Sequence, residues 1–385
     1  MKFQAFPNSN ILANFSQNQV FKKSKIPFEI KLWNGRLYRF GEGDSLFRVI
    51  VNNQQALASL NQLDELKISE SYINGSLDIA GNMIQAISMR NFLIDYHPWF
   101  RSWKHIVPMV IGQTLSDRQA IAQHYDFDTE FYLKFLGSTR CYSQALFEHD
   151  NESLEDAQYR KFDFAIETCH LKQGDRVLDV GGCWGAFTEY AGKQGIQVTS
   201  LTISQQSMQF LTELIEKLNL PCKAINQHFL EYKSVDCYDA IMLFGVIEHL
   251  PDYSAVLKQC QRLLKPGGRV YLDASASRQK YQVSTFINRY IYPRNHSFFC
   301  LCDFLTDVAK SPFELHAIYN DRHSYFLTCK AWAKNLETAH DEIIHLWSKS
   351  LYRTFHLYLW GASSAFLHRG LEAYRVILEL PRTSS

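Results

Sequence analysis

Two short stretches of this sequence hold residue types at spacings that can do chemistry. Arg176 to Gly185 reads RVLDVGGCWG, an apolar run through Val177 and Leu178 that stops at Asp179 and a glycine-rich turn. Gly181 and Gly182 let the main chain turn tightly and approach a ligand with no Cβ in the way. A strand that ends in an acid and such a turn is one way to hold a nucleotide-type cofactor. Alone, the loop also suits a dehydrogenase or a plain tight turn. The second stretch, YDAIMLFGV, reads as a buried strand closed by Ile247, Glu248 and His249. Doubly wound sheets present residues to ligands at the carboxyl ends of their strands. Glu248 there can orient a base, stabilise developing positive charge or take a proton itself. His249 titrates near neutrality when unperturbed. A carboxylate paired with a buried cation and a hydrogen-bonded core histidine are the plain structural readings of the same two residues.

The elements that must position them follow from periodicity. From Tyr125 onward strands and helices alternate, which predicts a parallel, doubly wound sheet. Helices are predicted over Leu154 to Cys169, Ala186 to Lys193, Gln205 to Leu218 and Ser254 to Leu264. Strands are predicted at RVLDV, VTSLTI, Lys223 to Asn226, Tyr238 to Val246 and in LLKPGGRVYLDAS after a Lys-Pro-Gly-Gly turn. Residues 1–118 read as a smaller α+β domain with a linker, and residues 119–385 as the larger domain. In the smaller one, FEIKLW, LYRFG and FRVIVN alternate like strands separated by Asn34-Gly35 and Gly41 to Gly43. Ala56 to Leu66 and Asn82 to Leu93 have helical spacing, with SESYINGSLDI and its Asn-Gly turn between them.

Composition bounds the function. With 385 residues, 46% of them hydrophobic, the chain can bury a large core. A net charge of +1 gives no global attraction to nucleic acid or to an anionic membrane. The 27 phenylalanines and 20 tyrosines suit an aromatic core or an apolar substrate tunnel. Nine cysteines, an odd number without paired C-x-x-C spacing, give no metal site and fit a reducing compartment. Cys300 and Cys302 read as buried groups on one strand face. No apolar run spans a membrane and MKFQAFPNSN lacks a signal-peptide core, so a cytoplasmic protein is expected, at most peripheral to the inner membrane surface. The run Arg289 to His296, rich in arginine and tyrosine, reads as a solvated loop, with a membrane-facing or lid segment as the alternative.

The element order, with the glycine-rich loop on the first strand and the Lys-Pro-Gly-Gly turn before the fifth, resembles a class I S-adenosylmethionine-dependent methyltransferase. The same turn, and the short spacing from Gly185 to the end of the second strand, disfavour a dehydrogenase. Further motifs narrow this: HYDFDTEFY at His124, CYSQALFEHDNESLEDAQ at Cys141, LTISQQS at Leu201 and IEHLPDY at Ile247 resemble the cyclopropane-fatty-acyl-phospholipid synthase family. SESYINGSLD and YLWGASSAFLHRGLEAYRVIL extend the likeness to both ends. The implied fold is α/β, a Rossmann-like doubly wound sheet with a small N-terminal α+β domain.

That resemblance implies roles. Tyr142 and Ser143 would contact the methionine carboxylate of S-adenosylmethionine, and Asp179, Gly181, Gly182 and Gly185 would form the loop against its sugar and amino-acid parts. Thr202, Ile203 and Ser204 would reach the adenosine side, with Ser207 in the place of a family glutamine. Phe229 would stack near adenine or belong to the core. Cys183 replaces a family glycine and leaves the cofactor less room. In the family a bicarbonate held by cysteine, glutamate, histidine and tyrosine removes the ring-closing proton. Here Gln144 stands for the cysteine and Asp273 for the histidine, and only Glu248 and Tyr325 match. Two carboxylates side by side repel an anion, which argues against bicarbonate, and they raise the pKa of one of the pair, so that Glu248 or Asp273 becomes a base itself.

Three readings remain open from sequence. The first is a methyltransferase acting on carbon of an unsaturated acyl chain or related lipid. The second is an N-methyltransferase of a small amine, as in plant benzylisoquinoline relatives, favoured by the two acids. The third is a non-catalytic lipid-binding or interaction protein, prompted by Cys183 and Gln144. Expected partners are a lipid or small-molecule acceptor, a membrane surface and a second copy in a homodimer.

Overall fold

The computed structural model describes residues 24–96, 129–281, 283–292 and 296–382. The MKFQAFPNSN segment, most of the linker, the 118/119 boundary, the start of HYDFDTEFY and Pro293 to Asn295 lie outside the described residues. The first unit runs β1 (Phe28–Leu32), β2 (Leu37–Phe40), β3 (Phe47–Val51), α1 (Gln54–Gln62), α2 (Glu65–Ile73), β4 (Leu77–Gly81) and α3 (Met83–Ser88). Its sheet has the order β2-β1-β3-β4. The Asn34-Gly35 turn joins antiparallel β1 and β2, with Gly35 at φ 84°. The single helix predicted from Ala56 to Leu66 is two helices. Leu63 turns left-handed at φ 54° and ends α1, and the Asp64 side chain then accepts from Lys67 N to cap α2. SESYI, expected in the connection, is therefore the end of α2.

The second unit runs α4 (Thr129–Leu136), α5 (Leu154–Thr168), β5 (Arg176–Val180), α6 (Ala186–Lys193), β6 (Gln197–Thr202), α7 (Gln205–Leu218), β7 (Lys223–Asn226), β8 (Tyr238–Phe244), α8 (Tyr253–Leu263), β9 (Leu264–Ala276), α9 (Leu301–Val308), β10 (Glu314–Asn320), α10 (Arg322–Thr338), α11 (His340–Leu346), α12 (Lys349–Leu367) and β11 (Glu372–Glu379). Its seven-stranded sheet has the order β10-β11-β9-β8-β5-β6-β7. Strands β5 to β9 are parallel, and β11 runs antiparallel to both β9 and β10. The doubly wound parallel sheet is as expected. Central β5 and β8 read as continuous apolar runs because helices cover both of their faces.

Two local expectations change. Lys-Pro-Gly-Gly is not a turn ahead of the strand but an irregularity within β9: Tyr238 pairs with Leu264 and Ala240 with Arg269, so Lys265 to Gly268 bulge between them, with Gly267 at φ 83°. Cys300 and Cys302 do not share a strand face. Cys300 is the buried residue before α9, Cys302 is exposed in its first turn, and all nine cysteines are free.

The small sheet is tied to the large unit through α12. The buried Arg353 guanidinium donates to Leu77 O at 2.6 Å and to Tyr72 O, pairs with Asp78 at 2.5 Å and lies 4.2 Å from the Tyr72 ring centroid. One turn on, His356 Nδ1 meets Tyr72 Oη at 2.8 Å, while His356 Nε2 and Trp360 Nε1 both meet Glu337 Oε1 at 2.8 Å. Among the described residues no helix is long and apolar enough to cross a membrane. Replacing Arg353 by Met strands two buried carbonyls, so a loss of about 3 kcal/mol is expected in urea unfolding monitored by circular dichroism.

Candidate active site at the carboxyl ends of the sheet

The glycine-rich turn after β5 is held by its neighbour strand. Gly181 N and Gly182 N both donate to Leu201 O, at 2.9 and 3.0 Å. Gly181 has φ 73°, and a Cβ there would lie 2.7 Å from Val246 Cγ2. Cys183 adopts φ 40°, the left-handed region that a glycine enters freely, at a cost of order 1 kcal/mol. Burial pushes its thiol up to about 12, so the group is a neutral wall. Gly185 serves packing: a Cβ would meet Leu214 Cδ2 at 2.5 Å.

A small cavity of about 90 Å³ opens above this turn, lined among others by Tyr142, Gly181, Cys183, Thr202, Ile203, Ser204, Ser207 and Phe229. Eight predicted or flagged positions thus converge from four separate segments. Ser204 caps α7, its side chain accepting from Ser207 N, which places a helix N-terminus at the cavity edge. Phe229 both lines the cavity and packs in the core. Like Gly185, three further expected residues stand behind the wall. Asp179 accepts from Thr188 Oγ1 at 3.2 Å and Ser200 Oγ at 3.4 Å, facing into the sheet. Gly182 packs on Ser200, where a Cβ would lie 2.8 Å from the Ser200 Cβ. Ser143 accepts from Lys161 Nζ at 2.6 Å. Sequence reasoning missed Gln227, His228, Gly245 and Val246, which line the cavity; their position just after β7 and β8 was the available signal.

A second cavity, of about 400 Å³, extends from the interior of the small sheet, at Phe28, Ile30 and Phe47, along α12 at Leu357, Gly361 and Ala365 to Glu248, His249 and Tyr325. Its walls are mainly aliphatic and aromatic. Nothing lies within 4 Å of a Cβ built on Gly361, which faces this space. The two cavities share three lining residues, Tyr142, Gly245 and His249. Tyr292 and His296, from the run read as a solvated loop, line the large cavity instead and stack at 4.4 Å. Tyr292 Oη meets Tyr358 Oη at 3.0 Å.

At this junction Glu248 is buried. Its Oε1 accepts from Ser275 N and Ser275 Oγ, both at 2.8 Å, and Oε2 has no hydrogen-bond partner among the described residues. Burial pushes its carboxyl up to about 7 against those bonds, and nearby Asp273 adds to the rise. Burial likewise raises the Tyr325 phenol well above its usual range. Asp273 and Gln144 do not line either cavity. Asp273 lies 3.6 Å from Lys161 Nζ, both side chains fully buried, and burial pushes the acid up to about 6 although Lys161 pulls it down. Gln144 Nε2 donates to Asp321 Oδ2 at 2.7 Å, and Asp321 in turn pairs with Arg375 at 2.5 Å. The two acids expected to face the substrate together are therefore separated, one toward the cavity and one against a buried lysine that sequence reasoning did not single out.

A family model described as mycolic acid cyclopropane synthetase matches residues 113–376, and a second, described as a domain of unknown function, matches residues 16–91. A probable fatty acid methyltransferase of Pseudomonas putida is 24% identical over 370 residues, 92% of each chain. The cyclopropane-fatty-acyl-phospholipid synthase of Escherichia coli K12 is 28% identical over 343 residues, 85% of this chain and 86% of that one. Among solved structures, a mycolic acid cyclopropane synthase complexed with SAH and CTAB superposes with TM-score 0.63 at 23% identity, covering 68% of this chain and 98% of its own. Coclaurine N-methyltransferase superposes with TM-score 0.64 at 16% identity, covering 81% and 99%. At these identities the superpositions establish a shared fold.

Asp179, pushed up to about 7 by burial, binds its proton more tightly folded than unfolded. Its contribution is fully present below about pH 4 and is lost as pH rises through 7. Asp179→Asn is therefore expected to flatten the decline of thermal stability between about pH 5 and 7.5, measured by calorimetry across that range.

Proposed function

This chain belongs to the mycolic acid cyclopropane synthetase family and is an S-adenosylmethionine-dependent methyltransferase, and from that premise we propose that its acceptor is a carbon of an unsaturated acyl chain lying in the 400 Å³ cavity. The observation that carries the reading is the meeting of two spaces of different size and origin. A small cavity at the loops after β5 to β8, lined by hydroxyls of Tyr142, Thr202, Ser204 and Ser207 and by the rings of Phe229 and Phe244, joins a larger one walled mainly by aliphatic and aromatic side chains at Tyr142, Gly245 and His249, with Glu248 beside the junction.

When bound, S-adenosylmethionine supplies an electrophilic methyl group on a sulfonium. Tyr142, Gly181, Thr202, Ile203, Ser204, Ser207 and Phe229 are the side chains and main-chain groups that would hold it, and they suit a ligand with hydroxyls and a flat base. Asp179, Gly182 and Gly185 would shape the loop from behind, and Ser143 would anchor the Tyr142 segment through Lys161. The apolar walls favour a hydrocarbon chain and exclude water from the junction, and tyrosine faces there can stabilise positive charge on the acceptor. The amine reading rested on two acids facing the substrate, and Asp273 lies against Lys161 instead. An acyl chain still esterified in a bilayer must be reached at the membrane surface, so peripheral contact there belongs to this proposal.

The test is calorimetric titration with S-adenosylmethionine and S-adenosylhomocysteine, followed by transfer of labelled methyl to unsaturated phospholipid vesicles or to amines. Binding of both cofactor forms and label in extracted acyl chains is expected. Label found in amines alone would overturn the acceptor assignment. Gly361→Phe, filling the cavity wall, is expected to cut acyl transfer at least tenfold with cofactor affinity unchanged. Gly361→Ala should keep activity and gain roughly 0.5–1 kcal/mol of stability, because glycine is costly within a helix.

A further inference from the structure

We propose that in this chain Glu248 itself receives the proton released after methyl transfer, that Ser275 is the residue positioning it, and that bicarbonate takes no part. The proposal rests on the acyl-chain reading above. It starts from the geometry of one carboxylate: both donors of Ser275 grip Oε1, leaving Oε2 buried and, among the described residues, without a hydrogen-bond partner, on a side chain that lines the cavity beside the junction. A carboxylate fixed by one oxygen and bare at the other has the form of an oriented base.

The residues that the resemblance assigns to bicarbonate do not fit an anion here. Gln144 gives an amide N–H to Asp321 Oδ2, which holds the group against that acid, and it lines neither cavity. Asp273 is itself acidic and lies 3.6 Å from Lys161 Nζ. Lys161 is engaged by Asp273, Ser143 and Cys141 and does not line the cavity. An anion beside Glu248 would thus sit next to a buried carboxylate that makes no ion pair among the described residues.

The step balances without a further reactant. The alkene π pair forms the bond to the incoming methyl carbon, and the C–S pair leaves with sulfur. The neighbouring alkene carbon becomes cationic. A C–H bond on the added methyl, or on the adjoining methylene, then breaks. Its pair closes a three-membered ring or forms a new double bond, and the proton forms an O–H bond at Glu248 Oε2, later lost to water as product departs. Glu248 must start as carboxylate, so the rate falls as pH drops through its titration, near 7. The groups that face it are Asp273 on β9, Tyr253 on α8, Tyr292 and His296 before α9, Tyr325 on α10 and its neighbour His249. The tyrosines are all raised above their usual range and stay neutral, and Asp273 is the neighbouring acid able to titrate alongside.

The experiment uses the full chain with S-adenosylmethionine and vesicles of an unsaturated phosphatidylglycerol, in carbon-dioxide-free buffer with and without added bicarbonate. Equal rates are expected, and 13C-bicarbonate titrated into the protein bound to S-adenosylhomocysteine should show no saturable NMR line broadening. Glu248→Gln should lose roughly 10²–10⁴-fold in kcat with cofactor affinity kept. Ser275→Ala keeps the main-chain donor and loses the hydroxyl, so the acid limb of kcat should move to higher pH with KM unchanged, a shift that a merely structural serine would not cause. Asp273→Asn should leave an acid limb that Glu248→Gln removes. Bicarbonate-dependent turnover, saturable bicarbonate binding, or an unmoved limb in Ser275→Ala would overturn the proposal while leaving the acyl reading in place. Absence of acyl transfer by the wild-type protein would instead overturn the acyl reading beneath it.

Discussion

Lys161 is the constraint on which the site depends. Its ammonium is fully buried at the centre of the large sheet's carboxyl edge, where it meets Asp273 of β9, Ser143 of the segment after α4 and the sulfur of Cys141. A buried charge is tolerated only when paired and hydrogen-bonded, so this cation dictates what its neighbours can be. It turns Asp273 away from the cavity and fixes the backbone from which Tyr142 reaches both cavities. A second pair, Arg375 with Asp321, lies on the adjoining strand and helix and takes up Gln144. With both pairs internally balanced, Glu248 is the buried acid left facing apolar space, and its raised proton affinity follows from that isolation.

The large cavity depends on a different kind of contact. Its inner end lies within the core of the small sheet, and its outer end lies against α12, so neither unit alone encloses it. Arg353 and His356, one turn apart on α12, satisfy the ends of α2 and β4 and hold the two walls in register. Beyond them α12 presents Leu357, Gly361 and Ala365 to the space, a spacing of four residues that puts one face of one helix along the cavity. Small residues on that face leave the volume open. Aromatic side chains share the remaining wall with aliphatic ones, which gives an apolar surface that still tolerates positive charge.

Much of the fold was legible from periodicity. Buried parallel strands read as unbroken apolar runs, and α7, from Gln205 to Leu218, matches its predicted span because Ser204 caps it and Asn219 closes it in the left-handed region. Where reading failed, a single residue's backbone decided: Leu63 split one helix into two, and the bulge at Lys265 to Gly268 kept paired strand on both sides of an expected turn. In the site, the loop residues around Gly181 and Ser204 were visible because their types report backbone needs. Ser275, Tyr292, Tyr358 and Gly361 were not, since nothing local distinguishes them from residues of any strand, loop or helix.

The sequence by itself determined the element order, the glycine turn on the first strand of the large sheet, the acid at the end of β8 and the likeness to a methyltransferase family, all of which are properties of neighbours along the chain. Only the tertiary structure decided the direction in which each acid points. Asp179, Glu248 and Asp273 are all buried carboxyls at the ends of adjacent strands, yet one caps the sheet through Thr188 and Ser200, one faces the cavity and one meets Lys161. That difference is set by partners from α6, β9 and α5, distant in sequence. The energy of a buried charge depends on what surrounds it in space, so no spacing along the chain could have assigned the three their separate roles.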